Sequence, residues 1–323
     1  MLYYHHYNNW EAALKLLIIN NLAAGPGDGA IYDFVRAFAR DGDEFVMRCT
    51  DGTSSTKAMV TDAHDFDAVV VAGGDGTISN VSYYLAHSGI PILPFPAGTA
   101  NLLANNLASP LEPHGLAKMM RENRILDFDL GEIETAEEKF GFCIMAGAGY
   151  DATIMHEAQP QKRLLGALAY FSAALHNPTP QRSKLTITYD GKEIEREGIG
   201  VLLVNFSKIQ FDIGVTHENK PRDGLLYLVV LKADNALKLI PAVLAGILDR
   251  GGAYPSRTDA LEVLQAQSIE VHADPPLQIQ YDGELANSTT PFRAHVLKHA
   301  TRYYLSEEGY DAFSWHEAED KNN

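Results

Sequence analysis

The sequence has little cysteine and no long apolar segment, and each absence excludes a class of protein. Its 323 residues include 2 cysteines, Cys49 and Cys143, which fall in predicted strands without the spacing of a metal site. Sparse cysteine is typical of a reducing compartment. No apolar run reaches the length of a membrane span, and the N-terminal residues lack the basic and apolar regions of a secretory signal.

Positive charge is also scarce. The chain has 26 lysine and arginine residues against 42 aspartate and glutamate residues, which gives a formal net charge of −16. This balance argues against nucleic acid, or a strongly anionic membrane, as a partner held by charge. The best candidate for a local basic patch is the set Lys162, Arg163, Arg182 and Lys184, although most such clusters are solvated faces.

The first third of the chain has the pattern of an α/β domain. From Leu16 to about Leu107, short apolar runs alternate with helical segments in four strand–turn–helix units. Units of this kind form a parallel sheet with helices on both faces. Because ligands of such sheets bind beyond the carboxyl ends of the strands, we expect the four turns to gather at one edge. We assign this domain to residues 1–122.

The pattern changes near Ile125. Strand-like runs such as KLTITYD, LLYLVVL and LQIQYDGE follow, several of them with alternating polarity. Two helices are predicted among them, at about Gln161–His176 and Ala236–Leu248. We therefore predict an antiparallel, sandwich-like second domain over residues 123–305, followed by an acidic tail over residues 306–323.

A glycine-rich turn, GGDGT at residues 73–77, separates the apolar run AVVVA from a predicted helix. Its glycines let backbone N–H groups approach a phosphate, and the helix offers its positive end. Asp75 would repel that ligand unless a Mg²⁺ ion lay between them, as in phosphoryl transfer. The alternative is that Asp75 caps its helix. An ordinary P-loop is excluded, because the chain has no GxxxxGK[ST] sequence.

Three other turns carry candidate site residues. In PAGTAN (residues 96–101), Thr99 is either a polar ligand beside the glycine or a helix cap. In PRDGLL, Asp223 either opens a hairpin or binds a structural Mg²⁺ together with neighbouring carbonyl groups. In AGAGYDA, Asp151 is either a turn residue or an acid of the active site.

The stretch LQIQYDGEL holds two carboxylates, Asp282 and Glu284. If the strand persists through it, Gln278, Gln280 and both carboxylates share one face. Carboxylates at that spacing suit a general base, directed at an attacking hydroxyl, and the residue that orients it. The alternative is a tight hairpin turn, which an Asp-Gly pair between alternating residues favours.

Taken together and in order, these motifs resemble the diacylglycerol kinase catalytic family, which contains bacterial lipid kinases, sphingosine kinases and ceramide kinases. The resemblance runs from about Leu16 to about Leu305, and is carried by INNLAAG, Thr50, GGDGT, PAGTANLLA, AGAGYDA, PRDGLL and YDGE. It implies an NAD-kinase-like parallel α/β nucleotide domain, an antiparallel β-sandwich lipid domain and an active site in the cleft between them. It also implies Mg²⁺-dependent transfer of the ATP γ-phosphoryl group to a primary hydroxyl of a lipid, such as diacylglycerol, phosphatidylglycerol or a sphingolipid.

The resemblance also implies roles for individual residues. Glu284 would accept the proton of the lipid hydroxyl, with Asp282 beside it, and Asp151 would face the acceptor headgroup. Asp75 would lie with the phosphates and the catalytic Mg²⁺. A structural Mg²⁺ would be held by Asp223 and the backbone carbonyls of Lys220 and Leu225. The ATP site would be lined by Asn21, Ala24, Gly25, Thr50, Gly73, Gly74, Asp75, Gly76, Thr77 and Thr99.

The chain departs from the family pattern at three positions. The Asn-Pro of the first loop is Asn21-Leu22 here, which loosens that turn but keeps its N–H groups. Asn80 stands where the family has Glu, and Asn105 stands where many relatives have Arg. The last two changes remove formal charges near the expected site, and so bear on acceptor choice and rate.

Two other functions remain open. An NAD-kinase-like enzyme acting on a soluble substrate should show an Asn-Glu pair and a Thr-Gly-rich segment after GGDGT, whereas this chain has Asn105-Asn106 and no such segment. A non-catalytic nucleotide- or lipid-binding protein is disfavoured by the presence of both Asp75 and Glu284. We expect a cytoplasmic protein that meets its lipid at the membrane surface, without a transmembrane segment or a nucleic acid partner. The sequence leaves the choice between a monomer and a homodimer open.

Overall fold

The chain forms two compact units. The computed structural model describes residues 13–25, 29–52, 54–149, 180–206, 220–232 and 261–314. The first unit comprises residues 1–128 with 301–323, and the second comprises residues 129–300. Four sequence predictions fall outside the described residues: Asp151, the helices at 161–176 and 236–248, and the Lys162–Arg163 pair. No helix within the described ranges has the length and apolar character needed to cross a membrane.

The first unit is the predicted parallel α/β domain. Its strands are β1 (Lys15–Asn21), β2 (Glu44–Thr50), β3 (Ala68–Gly73) and β4 (Pro91–Pro96). Its helices are α1 (Ala30–Phe38), α2 (Thr56–Met59), α3 (Asp75–Tyr84), α4 (Leu102–Asn106), α5 (Pro113–Arg121) and α6 (Glu307–Ser314), with a 3₁₀ turn at Ala63–Asp65. The spatial order β2-β1-β3-β4 is parallel throughout. Helix α6 lies within the predicted acidic tail, and its Phe313 ring packs edge-on against Phe128 at 5.2 Å.

Continuous apolar runs build the centre of this sheet. Residues 16–19 of β1 and 68–72 of β3 are completely buried, as expected for strands that are covered on both faces. On one face, Leu16, Ile18 and Val70 pack with the buried residues of α1 and α5. Helix α1 contributes Phe34 and Phe38, one turn apart on its buried side.

A buried ion pair fixes α5 beside this core. The Arg121 guanidinium lies 3.7 Å from the centre of the Phe38 ring and donates to the Phe38 carbonyl oxygen at 3.0 Å. It also pairs with Asp43, whose side chain is fully buried. The same carboxylate accepts the backbone N–H groups of Leu14 and Arg40 at 2.9 and 2.8 Å. Arg121 therefore neutralises a carboxylate that also holds the backbone at Leu14 and Arg40.

The second unit is built from antiparallel strands. They are β5 (Ile125–Glu134), β6 (Lys139–Phe142), β7 (Met145–Gly149), β8 (Ser183–Tyr189), β9 (Lys192–Gly198), β10 (Gly200–Val204), β11 (Leu226–Leu231), β12 (Leu261–Ala266), β13 (Ser268–Asp274), β14 (Gln278–Tyr281), β15 (Glu284–Thr289) and β16 (Phe292–Tyr304). One sheet has the order β12-β11-β10-β7-β14-β15. The other contains β16-β13-β8-β9, with β5 and β6 joined through β16. Residues 125–128 of β5 and 301–304 of β16 belong to the first unit, where Tyr303 pairs in parallel with Ile92 of β4.

Alternating apolar residues from both sheets share one core, which confirms the predicted sandwich. Val201 and Leu228 from the first sheet are fully buried in the same cluster as Ile187 and Val271 from the second. Alternation within each strand sends every other side chain into this core.

Arg121→Met is expected to lower the free energy of unfolding by about 3–5 kcal/mol, because it leaves the Asp43 carboxylate buried without its cation. Urea unfolding measures the loss. Lys118→Met in the same helix is the control, since Lys118 is 79% exposed and lies 3.8 Å from Glu122. That change should shift stability by no more than about 0.5 kcal/mol. Equal losses in the two variants would contradict the assignment.

Candidate nucleotide-binding and catalytic sites

The turns that follow β1 to β4 lie at one edge of the sheet, as the sequence predicts. Asn21 at the end of β1 pairs with Thr50 at the end of β2, and Gly73 at the end of β3 pairs with Pro96 at the end of β4. Strands β1 and β3 are themselves parallel neighbours. All four carboxyl ends therefore meet at the edge where α/β sheets bind ligands.

Glycine lets three of these turns touch backbone to backbone. A Cβ at Gly98 would lie 2.6 Å from the Cα of Gly74, and a Cβ at Gly25 would lie 2.0 Å from the carbonyl oxygen of Ala97. Gly25 also has a φ of 62°, which favours glycine. We call residues 21–25, 73–77 and 96–101 the glycine-turn cluster. Its members therefore approach one another more closely than side chains at Gly25 and Gly98 would allow.

Side chains of the first loop tie the cluster together. Asn21 Nδ2 donates to Thr77 Oγ1 at 2.9 Å, and Asn21 Oδ1 accepts the N–H of Ala23 at 3.0 Å. The Leu22 N–H donates to the carbonyl oxygen of Thr50 at 2.7 Å. Thr50 is buried, and its hydroxyl accepts the N–H of Gly52 at 3.0 Å. The predicted residues Asn21, Thr50 and Thr77 therefore belong to one connected group.

Asp75 does not cap its own helix. Helix α3 begins at Asp75, its N-cap residue is Gly74, and no side chain bonds to its cap position. The Asp75 carboxylate instead accepts the N–H of Leu103, in the first turn of α4, at 3.0 Å. The prediction that Asp75 caps α3 is therefore wrong: it binds the amino end of the next helix, where a carboxylate is favoured by unpaired N–H groups and the helix dipole.

The second glycine turn is shaped by Asn101 rather than Thr99. Asn101 is the N-cap residue of α4, with φ 51° and ψ 42°, a conformation that asparagine tolerates. Its side chain accepts the N–H of Gly98 at 2.8 Å and donates to the Gly98 carbonyl oxygen at 3.2 Å. Thr99 is exposed two residues before the cap, so its prediction as a helix cap is wrong. In the sequence, the asparagine at the end of PAGTAN was the residue that could have indicated this N-cap.

The departures from the family pattern bring no charge to this edge. Asn105 donates through Nδ2 to the Ala100 carbonyl oxygen at 3.2 Å, within its own turn. Asn80 is partly buried in α3, and Leu22 is 62% exposed within the first loop. The first N–H groups of α3 have no acceptors within that helix, and backbone amides of this kind can bind an anion.

In the second unit, Asp282 and Glu284 lie on a tight hairpin. Strand β14 ends at Tyr281 and β15 begins at Glu284. Asp282 and Gly283 have φ values of 40° and 89°, as a two-residue turn of the primed type requires. The hairpin alternative is confirmed. The prediction that a continuous strand places Gln278, Gln280, Asp282 and Glu284 on one face is wrong, because the turn interrupts the alternation.

The Asp282 carboxylate is held by three consecutive backbone amides. Oδ2 accepts the N–H of Cys143 at 2.5 Å, and Oδ1 accepts those of Ile144 and Met145 at 2.9 and 2.8 Å. The Asp282 N–H returns a bond to the Met145 carbonyl oxygen at 2.9 Å. Asp282 is buried. Charge-assisted bonds of this kind lock the turn onto residues 143–145.

The environment of the Glu284 carboxylate differs from that of Asp282. It is exposed, and within the described part of the chain no hydrogen bond or ion pair holds its carboxylate. Its backbone is nevertheless fixed, because Glu284 pairs with Tyr281 across the turn and the Tyr281 ring stacks on Phe140 at 4.2 Å. The hairpin thus presents an available carboxylate from a fixed position.

The loop at residues 220–225 places two carboxylates close together. Asp223 Oδ1 accepts the Leu225 N–H at 2.9 Å, and Oδ2 accepts the Tyr227 hydroxyl at 2.9 Å. Asp129 is buried and accepts the Gly224 N–H at 2.6 Å. Partial burial raises the pKa of Asp223, and the charge of Asp129 acts in the same direction, against the bonds from Tyr227 and Leu225.

The donors at this loop fit Mg²⁺ in chemical kind. Carboxylate and carbonyl oxygens are the ligands that Mg²⁺ prefers, and a cation would offset the repulsion between Asp223 and Asp129. The Lys220 carbonyl oxygen faces into the turn, where it accepts the N–H groups of Arg222 and Asp223 at 2.7 and 3.1 Å. Across the described ranges, no group of three or more His, Cys, Asp or Glu side chains could hold a metal. A cation here would therefore depend on backbone oxygens.

Comparison with known proteins identifies the family. Residues 15–133 match the diacylglycerol kinase catalytic domain, and residues 145–303 match the YegS C-terminal NAD kinase beta sandwich-like domain. The chain therefore belongs to the diacylglycerol kinase catalytic-domain family of lipid kinases.

Individual relatives are distant in sequence. The chain is 26% identical over 300 residues to a probable lipid kinase YegS-like of Xanthomonas campestris pv. campestris, covering 90% of this chain and 95% of that one. It is 28% identical over 237 residues to a diacylglycerol kinase of Mycobacterium tuberculosis, covering 68% and 71%. An uncharacterized protein of Synechocystis sp. is 26% identical over 240 residues, and the chain spans 52% of its length.

Solved structures share the fold. A diacylglycerol kinase from Bacillus anthracis has a TM-score of 0.69 at 19% identity, with 92% of this chain and 99% of that chain covered. An NAD kinase from Archaeoglobus fulgidus in complex with ATP has a TM-score of 0.52 at 13% identity, with 93% and 97% covered. These likenesses confirm the predicted combination of an NAD-kinase-like α/β domain and a β-sandwich.

Gly98→Ala is expected to destabilise the protein by about 1–3 kcal/mol, because the added methyl group would press on the Cα of Gly74. Gly74→Ala is the matched control. A Cβ at Gly74 meets nothing within 4 Å, and its φ of −80° suits alanine. Thermal unfolding compares the two variants, and a Gly98→Ala protein as stable as Gly74→Ala would refute the backbone contact.

Asp223→Asn is expected to raise the melting temperature of the metal-free protein at neutral pH. A carboxyl group whose pKa rises on folding stabilises the folded state below its ordinary pKa, and that contribution is lost as the pH climbs through the raised value. The advantage of the variant, measured in EDTA, should therefore shrink on acidification. Asp274→Asn, at an exposed position, is the control. A less stable Asp223→Asn protein at neutral pH would reverse the conclusion.

Proposed function

We propose that this protein is an ATP-dependent lipid kinase that transfers the γ-phosphoryl group to a primary hydroxyl of a lipid. The observation that carries ATP use is the glycine-turn cluster, where backbone meets backbone at the ligand-binding edge of a parallel sheet. Membership of a lipid kinase family supports the acceptor. Diacylglycerol, phosphatidylglycerol and sphingoid lipids all present the required hydroxyl group.

The proposed ATP site uses the cluster as a phosphate cradle. N–H groups at the start of α3, including those of Gly76 and Thr77, would donate to phosphate oxygens, which the positive end of the helix also attracts. The hydrogen bond from Asn21 orients the Thr77 side chain toward the first loop. Ala24, Gly25, Gly73, Gly74 and Thr99 would complete the lining.

Asp75 is the proposed ligand of the catalytic Mg²⁺. Its bond to the Leu103 N–H fixes the carboxylate, and carboxylate oxygens are ligands that Mg²⁺ prefers. Bound Mg²⁺ would neutralise charge on the transferring phosphoryl group. Asp223, with the carbonyl oxygens of Lys220 and Leu225, is the proposed structural Mg²⁺ site.

Glu284 is the proposed general base, and Asp282 is the residue that positions it. The lipid O–H would give its proton to the Glu284 carboxylate while its oxygen bonds to the γ-phosphorus. The bond from that phosphorus to the bridging oxygen would break, and ADP would leave. Asp282 suits a positioning role because three backbone amides already occupy its carboxylate, whereas Glu284 is exposed.

We further propose that the reaction takes place at the cytoplasmic membrane surface, with the protein peripherally bound. The net charge of −16 makes overall attraction to anionic lipid an unsuitable means of association. Contact would then depend on local apolar groups and on the lipid acceptor itself.

Glu284→Gln is expected to lower lipid phosphorylation about 10²- to 10⁴-fold, the usual contribution of a general base. Purified full-length protein would be given γ-labelled ATP, Mg²⁺ and detergent micelles carrying diacylglycerol, phosphatidylglycerol or a sphingoid base, beside NAD⁺ as a soluble acceptor. Glu193→Gln, at an exposed position of β9, should retain wild-type activity.

Each pattern of labelling decides between functions. The proposal is supported if the wild-type and Glu193→Gln proteins label a lipid and the Glu284→Gln protein does not. Label on NAD⁺ alone would reject the lipid acceptor. ATP binding without transfer to any acceptor would identify a non-catalytic binding protein.

A further inference from the structure

The segment Cys143–Met145 is clamped from two sides. Its three N–H groups are directed to the Asp282 carboxylate, at 2.5 to 2.9 Å. The carbonyl oxygens of Cys143 and Ile144 are directed to the residues that follow β10, whereas that of Met145 accepts the Asp282 N–H. The backbone N–H groups of Asn205 and Phe206 both donate to the Ile144 carbonyl oxygen, at 2.9 and 3.2 Å.

The Asn205 side chain extends this clamp to a third segment. Its Nδ2 donates to the carbonyl oxygen of Cys143 at 2.8 Å and to that of Asp129 at 2.9 Å. Asp129 is itself immobilised, because its carboxylate accepts the N–H groups of Gly224 and His299 at 2.6 and 2.8 Å. Asn205 therefore joins residues 143–145 to a rigid part of the second unit.

The chemistry of this position calls for an amide. Asn205 is completely buried, and both N–H bonds of its Nδ2 are used on carbonyl oxygens. The reversed orientation would set Oδ1 against those same oxygens. Oδ1 itself is buried without a hydrogen-bond partner among the described residues. An unpaired buried acceptor costs free energy, so the value of this side chain lies in its two donated bonds.

We propose that Asn205 is a positioning residue for the candidate base Glu284. Asn205 sets the geometry of Cys143–Met145, those amides set the Asp282 carboxylate, and the two-residue turn then sets Glu284. This inference rests on the proposed function of Glu284. It assigns a part in the reaction to a buried residue that directly follows β10. Neither the burial of Asn205 nor its place in the sequence indicates that part.

Asn205→Asp is the sharpest variant, since it keeps the shape of the side chain but replaces two donors with an acceptor. We expect kcat for lipid phosphorylation to fall about 10- to 100-fold while KM for ATP stays within about twofold, as for a misplaced catalytic group. Hydrogen exchange of the 143–145 and 282–284 amides should quicken. Asn205→Ser, which keeps one donor, should show intermediate losses and also serves if the Asp variant does not fold.

Ser183→Ala is the matched control. Ser183 is buried in the same unit and donates to the Pro275 carbonyl oxygen at 2.7 Å, in a bond that joins segments 92 residues apart. Its loss should lower stability but leave kcat and the exchange of residues 282–284 unchanged.

The outcomes separate this inference from the proposed function. If both Asn205 variants lose no more kcat than Ser183→Ala, or if the 282–284 amides exchange at the wild-type rate, Asn205 is structural only. If the wild-type protein phosphorylates no lipid, the proposed function fails. The exchange measurement still decides, in that case, whether Asn205 positions the hairpin.

Discussion

Three consecutive backbone N–H groups, those of Cys143, Ile144 and Met145, converge on one carboxylate, and the position of the candidate base depends on that convergence. Buried N–H groups must find acceptors, and a single ionised carboxylate can serve three of them. Asp282 supplies that acceptor from the turn between β14 and β15. The hairpin, its exposed Glu284 and the clamp behind it all follow from one group of hydrogen bonds.

Carboxylates serve as backbone acceptors elsewhere in the chain. Asp75 holds the start of a helix 28 residues away, Asp129 holds Gly224 at a separation of 95 residues, and Asp282 reaches back 139 residues to Cys143. The acidic balance of the sequence is therefore partly an internal feature. Some of the carboxylates hold loops in place through hydrogen bonds from the backbone. The net charge alone therefore overstates how much negative charge faces solvent or partners.

The fold and the placement of its turns could be predicted from sequence, because apolar periodicity and glycine report on local geometry. The residues that join distant segments could not. Asn205 lies at the end of an ordinary apolar strand, and nothing in VLLVNF indicates which carbonyl oxygens its amide will meet. Asp75 illustrates the same limit: a helix cap was predictable from its chemistry, but the helix that it caps lies beyond the next strand.

The two-residue turn between Tyr281 and Glu284 has a consequence for related sequences. In a turn this short, the register of the hairpin is fixed by the number of residues in it, and one extra residue would reverse the face of every side chain that follows. The number of residues from Asp282 to Glu284 is thus set by the backbone geometry of the turn. Any homologous chain that lengthens this interval must build its hairpin in a different way, whatever carboxylates it retains.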